Sequence, residues 1–459
     1  MIRRFRIIRL LILLSGSLVL AAQSLDGVWQ SQGYGYIFEI QGPVLKAFEV
    51  TTTTCIPGFT AKRSNDITPG REATFKTKNK GIYFVRSGGS NDHKLLHQGD
   101  SVADVRIDRL SRTPTACDEL TGNTPINNFE VFTRTFTEHY ISFDLKGTDW
   151  GKVVADYQPK ITPQTTPKQL FEILEAMVKP LGDLHIDIEA RKPKRSTEGF
   201  WRPGSNRIIK GSIDNFATRG RQKLFSITNR VYLQGSLRMF CRKQLQYGHI
   251  DDTTGYLRLL SFGGYSRHDD LKALKSALDT IFSDHKLRAL VIDTRLSFGG
   301  SDELGLAIAR HLATSEYLAY TVQARADPVK RDRWTPGYPV VVQQGLRPGF
   351  RGPVVELIGP ITMSAAETFT QALMGRTPHL TRIGESTQGV FCDVLDRHLP
   401  NGWTFGLPNA VYRTPEGIAF DVRGIPPDVE VPVFADVNVA AGKDPGMAKA
   451  IQVLSNRKN

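Results

Sequence analysis

Val354-Val355-Glu356-Leu357-Ile358-Gly359-Pro360-Ile361-Thr362-Met363-Ser364-Ala365-Ala366-Glu367-Thr368-Phe369 reads as an apolar strand that turns into a helix, with Ser364 at the junction. A hydroxyl placed there meets the positive end of a helix, where backbone N–H groups can receive a developing oxyanion. Ser364 is therefore the best nucleophile candidate in the chain. The same letters have a plainer reading. Ser364 with Glu367 three residues on is also a capping box, which only starts a helix.

Around this stretch strands and helices alternate. Tyr256 to Leu260 reads as a strand, Asp269 to Phe282 as a helix with Leu271, Leu274, Leu278 and Ile281 inward, and Ala289 to Asp293 as a buried strand; Leu304 to Ala313 is helical again. That order predicts a layered α/β core over 246–435, followed by a C-terminal tail over 436–459.

Upstream, the texture changes twice. Residues 25–119 carry short apolar and aromatic runs such as Gly35-Tyr36-Ile37-Phe38-Glu39-Ile40, separated by Gly, Asn, Asp and Pro, which predicts a β-rich N-terminal domain, a small barrel or sandwich. Over 125–190 the period becomes helical: Phe129, Phe132, Phe136 and Tyr140, then Leu170, Ile173, Leu174 and Met177 after a Thr166-Pro167 cap. These aromatics are read as core of a helical subdomain. Residues 191–245 form a basic, Gly- and Pro-rich connecting segment.

The first residues, Met1-Ile2-Arg3-Arg4-Phe5-Arg6, precede an apolar stretch from Leu10 to Ala22 broken only by Ser15, Gly16 and Ser17. This is the pattern of a signal peptide over 1–22, too short for a comfortable span, and it predicts an exported protein, periplasmic or secreted. Ala21-Ala22 suits cleavage nearby; left uncleaved, the segment is the one part of the chain expected to touch a membrane. The formal charge is +13, and removing Arg3, Arg4, Arg6 and Arg9 leaves +9. Much of the excess sits around Phe200 and Trp201, from Arg191 to Lys210. No nucleic-acid module surrounds it, so it reads as a solvated loop and not as a nucleic-acid interface.

The four cysteines, Cys55, Cys117, Cys241 and Cys392, show no C-x-x-C spacing, which argues against a zinc ribbon or a thioredoxin-like motif. In an oxidising compartment Cys55 and Cys117 could close the N-terminal segment, at a loop-entropy gain of roughly 4 kcal/mol before strain. Four free thiols are the alternative.

Three further elements can complete a serine site. Leu181-Gly182-Asp183-Leu184-His185-Ile186-Asp187-Ile188-Glu189 offers a base; Ile292-Asp293-Thr294-Arg295-Leu296-Ser297-Phe298-Gly299-Gly300 ends a strand in a Gly pair whose backbone can approach a ligand; Phe420-Asp421-Val422-Arg423-Gly424-Ile425-Pro426-Pro427-Asp428 sets a carboxylate beside a rigid turn. Each has a plainer reading too. His185, Asp187 and Glu189 alternate with isoleucines as on a half-buried strand, the glycines can merely end a strand, and Asp421 can pair with Arg423.

Together and in this order, from about Asn127 to Val433, the four motifs resemble the tail-specific, or C-terminal-processing, serine peptidase family, in the branch similar to the tricorn protease core. The resemblance implies a crotonase/ClpP-like core, a peptide or protein substrate and no cofactor or metal. It implies Ser364 as nucleophile in a Ser-Ala-x-Glu helix start, His185 as base in a Gly-Asp-x-His motif, and Asp421 at the position of the family's orienting Glu. The Gly299, Gly300 and Ala365 N–H groups are the implied oxyanion donors. A sister branch uses a lysine about 25 residues after the serine, but no lysine occurs between Ser364 and Lys443. Three departures are visible. Asp421 is one methylene shorter than Glu, Leu184 stands where the tricorn protease has a bridging serine, and no PDZ pattern is evident. The interphotoreceptor retinoid-binding protein is similar to the same family, which keeps a non-catalytic apolar-ligand or peptide binder as the alternative.

Overall fold

Ala289–Asp293 and Val354–Ile358 lack a polar alternate face, the pattern of strands covered on both sides. In the computed structural model both lie at the centre of a seven-stranded sheet. Its order is Gln234–Phe240, Leu245–His249, Thr254–Leu259, Ala289–Asp293, Val354–Ile358, Thr381–Gly384 and Val429–Glu430, the last five mutually parallel. The structure describes residues 25–65, 69–79, 81–99, 101–191, 197–201, 221–345 and 349–456. The expected signal peptide and most of the basic cluster lie outside them.

Successive residues of the central strands feed opposite layers. Leu290, Ile292 and Val354 pack with the helices Asp270–Ile281, Asp302–Leu312 and Ala365–Leu373, whereas Ala289, Val291, Val355 and Leu357 pack with Met447, Ala450 and Leu454 of the helix Pro445–Asn456. The residues after 436 thus cover one face of the sheet. Arg295, 1% exposed, fixes them there: it bonds Asp293 at 2.7 Å and Asp444 at 2.8 Å. Leu271, expected inward, is 39% exposed. The buried stripe is Leu274, Ala277, Leu278 and Ile281, and at 100° per residue Leu271 falls about 70° from its centre.

The β-rich segment is a closed barrel of eight antiparallel strands in chain order, sealed by pairing of Gly27–Ser31 with Asp104–Leu110. Cys55 and Cys117 form a disulfide, while Cys241 and Cys392 are free and buried. In the helical subdomain Thr124 caps Pro125–His139, and Thr166 and Gln169 form a capping box on Pro167–Val178. Phe129, Phe132, Phe136 and Tyr140 are all core, packed with Ile188, Leu395 and Phe405. The last three belong to an antiparallel sheet of Thr197–Trp201, Asp187–Arg191, Thr404–Pro408 and Val394–His398. The subdomain therefore shares its core with the strands Val394–His398 and Thr404–Pro408, which follow the loop after Ser364 in the chain. No helix among the described residues is long and apolar enough to cross a membrane.

Candidate active site

Ligands of parallel α/β sheets collect outside the carboxyl ends of the strands. Three adjacent ones deliver the candidates here: Ala289–Asp293 leads to Gly299 and Gly300, Val354–Ile358 to Ser364, and Thr381–Gly384 to the loop 385–392. Ser364 has φ 54° and ψ −128°, a backbone region that costs a non-glycine residue about 1–3 kcal/mol. Its surroundings hold it there. The Ser364 N–H donates to the Val390 carbonyl at 3.0 Å, the Met363 N–H to the Ser297 carbonyl at 3.2 Å, and the Thr362 hydroxyl to the Thr294 carbonyl at 2.9 Å.

Glu367 does more than cap. It is fully buried, and its carboxylate accepts from the Thr387 hydroxyl at 2.5 Å, Gly389 N–H at 2.7 Å, Val390 N–H at 2.8 Å and Ser364 N–H at 3.3 Å. Burial pushes its carboxyl up to about 7, against the four donors that favour the ion. In the sequence Glu367 reads only as the cap. Its second role depends on a loop about twenty residues away, which no local pattern reveals.

The Gly pair sits against the serine. Gly299 has φ 87°, and a Cβ there would fall 2.7 Å from Ser364 Cβ, 2.8 Å from the Met363 carbonyl and 2.9 Å from the Ala365 nitrogen. Only glycine fits. Among the described residues the N–H groups of Gly299, Gly300 and Ala365 donate to no backbone carbonyl, as groups kept for an incoming oxyanion should be.

His185 lies just before Asp187–Arg191. Its N–H donates to Asp183 Oδ1 at 3.1 Å, and its Nδ1 lies 3.0 Å from the Phe391 carbonyl oxygen. A carbonyl only accepts, so Nδ1 carries a proton; in the neutral imidazole the lone pair is then on Nε2, the tautomer a general base requires. Asp183 Oδ2 accepts from the Tyr140 hydroxyl at 2.8 Å, tying the Gly-Asp-x-His turn to the first subdomain helix. Leu184 packs with Leu296, Ile361 and Met363, so it supplies apolar contact beside the serine turn.

Asp421 is 7% exposed, with Oδ2 lacking a hydrogen-bond partner among the described residues, and burial, with the Asp183 charge nearby, pushes its carboxyl up to about 7. Arg423 is engaged with the Ala419 carbonyl. The Asp421 turn is zipped to the loop that holds the other two residues: Val422 N–H to the Gly389 carbonyl at 2.8 Å and Thr387 N–H to the Ile425 carbonyl at 3.0 Å. The contact that orients Nδ1 is thus a main-chain carbonyl, invisible to residue-type reasoning.

Residues 253–431 match the model of Peptidase family S41, and residues 124–179 match that of the Tricorn protease C1 domain. The chain carries a peptidase family S41 domain. The family S41 domain contains Ser364, Gly299, Gly300 and Asp421, while His185 lies just beyond the tricorn-type segment. Among solved structures the chain is similar to a Parabacteroides merdae ATCC 43184 protein described as a candidate peptidase, at 22% identity and TM-score 0.58 over 72% of this chain and 97% of that one. It is also similar to mature CPAF, at 13% identity and TM-score 0.53 over 72% and 98%. At these identities the likeness is one of fold, which is the layered α/β peptidase fold expected. No curated protein sequence matches the chain.

Proposed function

We propose that this family S41 protein is an exported serine peptidase that cleaves peptide or protein substrates through an acyl-enzyme. His185 Nε2 takes the proton of the Ser364 hydroxyl as Oγ attacks the scissile carbonyl. The oxyanion is received by the N–H groups of Gly299, Gly300 and Ala365, His185 returns the proton to the leaving amine, and water, deprotonated by His185, releases the acid product. Asp421 is the acid of the site, its negative charge stabilising the imidazolium that forms.

The observation that carries this reading is the loop 387–392, because consecutive carbonyls, Val390 and Phe391, hold the Ser364 N–H and the His185 ring. Fluorophosphonate labelling of the purified protein tests it. Ser364 should carry the adduct, and Ser364→Ala should keep the fold while abolishing labelling and peptide hydrolysis. An unlabelled wild type would turn the reading to a non-catalytic binder, and a label on another serine would sink the assignment.

A further inference from the structure

Between the N-terminal barrel and the strand Val394–His398 lies a cavity of about 400 Å³, within the range of small-ligand sites. One wall is aromatic. Phe59 and Tyr83 stack with centroids 4.5 Å apart and planes 13° apart, and Tyr36 stacks on Phe38 at 5.6 Å. Tyr36, Phe59 and Tyr83 are half-buried residues that line the cavity.

The other wall is acidic. Glu49, Asp393 and Asp396 line the cavity together with His398, and among the described lining residues there is neither Lys nor Arg. On a chain with 59 Lys and Arg against 46 Asp and Glu, that selection runs against composition. His398 is paired with Glu49, its Nδ1 2.8 Å from the carboxylate. A further acid stands behind Asp396: a Cβ on Gly406 would fall 2.8 Å from Asp187 Oδ1 and 3.6 Å from Asp396 Oδ1, so the two carboxylates flank that glycine. Arg397, 2% exposed, lies beneath the floor with its guanidinium 4.2 Å from the Tyr36 ring centre. The protein thus already places one cation against this aromatic wall.

We propose that this cavity is a binding site for a small organic cation, an ammonium or guanidinium group on an aromatic or short aliphatic body. The body lies against Tyr36, Phe59 and Tyr83, and the charge points to Asp393 and Asp396. Aromatic faces and carboxylates both favour a cation, and a partly desolvated cation gains from the ring quadrupoles as well as from the ions. Protein packed around Asp396, with Asp187 adding a like charge, raises its carboxyl, a strain that an entering cation relieves. The site lies beside the peptidase centre without sharing its groups, since Asp393 follows the loop 387–392 and faces the barrel.

Calorimetric titration of the full chain with benzyltrimethylammonium, benzyl alcohol and phenylacetate tests this without reference to peptidase activity. Benzyltrimethylammonium should bind saturably, on the order of tenfold or more tighter than benzyl alcohol, and phenylacetate should give no binding heat. The isosteric Asp396→Asn should weaken it by about tenfold. Phe59→Leu, a second route should Asp396→Asn fail to fold, should weaken the cation and the alcohol alike. Ser364→Ala should bind as the wild type does. Equal affinity for the alcohol, no effect of either cavity variant, or loss of binding in Ser364→Ala would each overturn the proposal, the last by moving the probe to the serine site.

Discussion

His185 and Ser364 are held by consecutive carbonyls of one loop, the imidazole Nδ1 by Phe391 O and the serine N–H by Val390 O, each at 3.0 Å. Neighbouring Cα atoms are about 3.8 Å apart, so a single peptide unit links the carbonyls that hold the proposed base and the proposed nucleophile. Whatever fixes that loop fixes both contacts.

Glu367 is what fixes it. Glu367→Gln replaces one acceptor oxygen with an NH2 group, and the side chain can no longer serve all of Thr387, Gly389, Val390 and Ser364. An orphaned buried donor costs about 1–3 kcal/mol, and a loop displaced by about 1 Å costs on the order of a hundredfold in rate. Glu367→Gln should therefore remain folded by circular dichroism and lose about two orders of magnitude in kcat/KM. Unchanged kinetics would detach the loop from catalysis.

Gly299→Ala is the matching test on the other side of the serine. The new methyl would sit 2.7 Å from Ser364 Cβ, in a backbone region that alanine resists. We expect hydrolysis and fluorophosphonate labelling to fall together by at least about a hundredfold, with a lower melting temperature because backbone atoms must shift to admit the methyl. Labelling at the wild-type rate would show that the turn does not form the oxyanion site.

Glu356, fully buried in the central strand, probes the fold itself. Oε1 accepts from the hydroxyls of Thr370 at 2.8 Å and Thr294 at 3.2 Å, Oε2 has no partner among the described residues, and burial pushes the carboxyl up to about 7. The folded protein holds that proton more tightly than the unfolded chain, so the stabilisation is complete below the ordinary glutamate value and is lost as pH rises toward about 7. Glu356→Gln keeps the acceptor and removes the ionisation. Its urea midpoint should change less between pH 5 and pH 8 than the wild type's, with a gain on the order of 2 kcal/mol at pH 8. Parallel pH curves for the two proteins would reject this.

What the sequence made legible follows from range. Val354–Ile358 and Ala289–Asp293 were readable to the residue because an unbroken apolar run bounded by turn letters is a local signal. Closure of the barrel was not, since strand texture fits a sandwich equally well until the first and last strands pair. At the site, Ser364, His185 and the Gly pair carry their chemistry in side-chain type or backbone freedom. Phe391 contributes a carbonyl that any residue possesses, and Glu367 contributes through three residues of a distant loop. Neither function is written in the letters.

Asp421→Asn separates two ways of completing the site. Neutralising a triad carboxylate elsewhere costs about 10⁴ in kcat, because the histidine then rests in the wrong tautomer. Here the Phe391 carbonyl, 3.0 Å from Nδ1, preserves the tautomer without Asp421, so only charge stabilisation of the imidazolium is lost. We therefore expect a smaller fall, on the order of a hundredfold. The pH profile carries a second signature. Burial raises the Asp421 carboxyl to about 7, and the group helps only when ionised, so wild-type kcat/KM should climb as pH rises through about 7 and Asp421→Asn should lose that component. A full loss of about 10⁴ would instead mean that Asp421 displaces Phe391 at Nδ1 in the working enzyme. Wild-type rates with an unaltered profile would remove Asp421 from the mechanism and leave Ser364, His185 and a main-chain carbonyl.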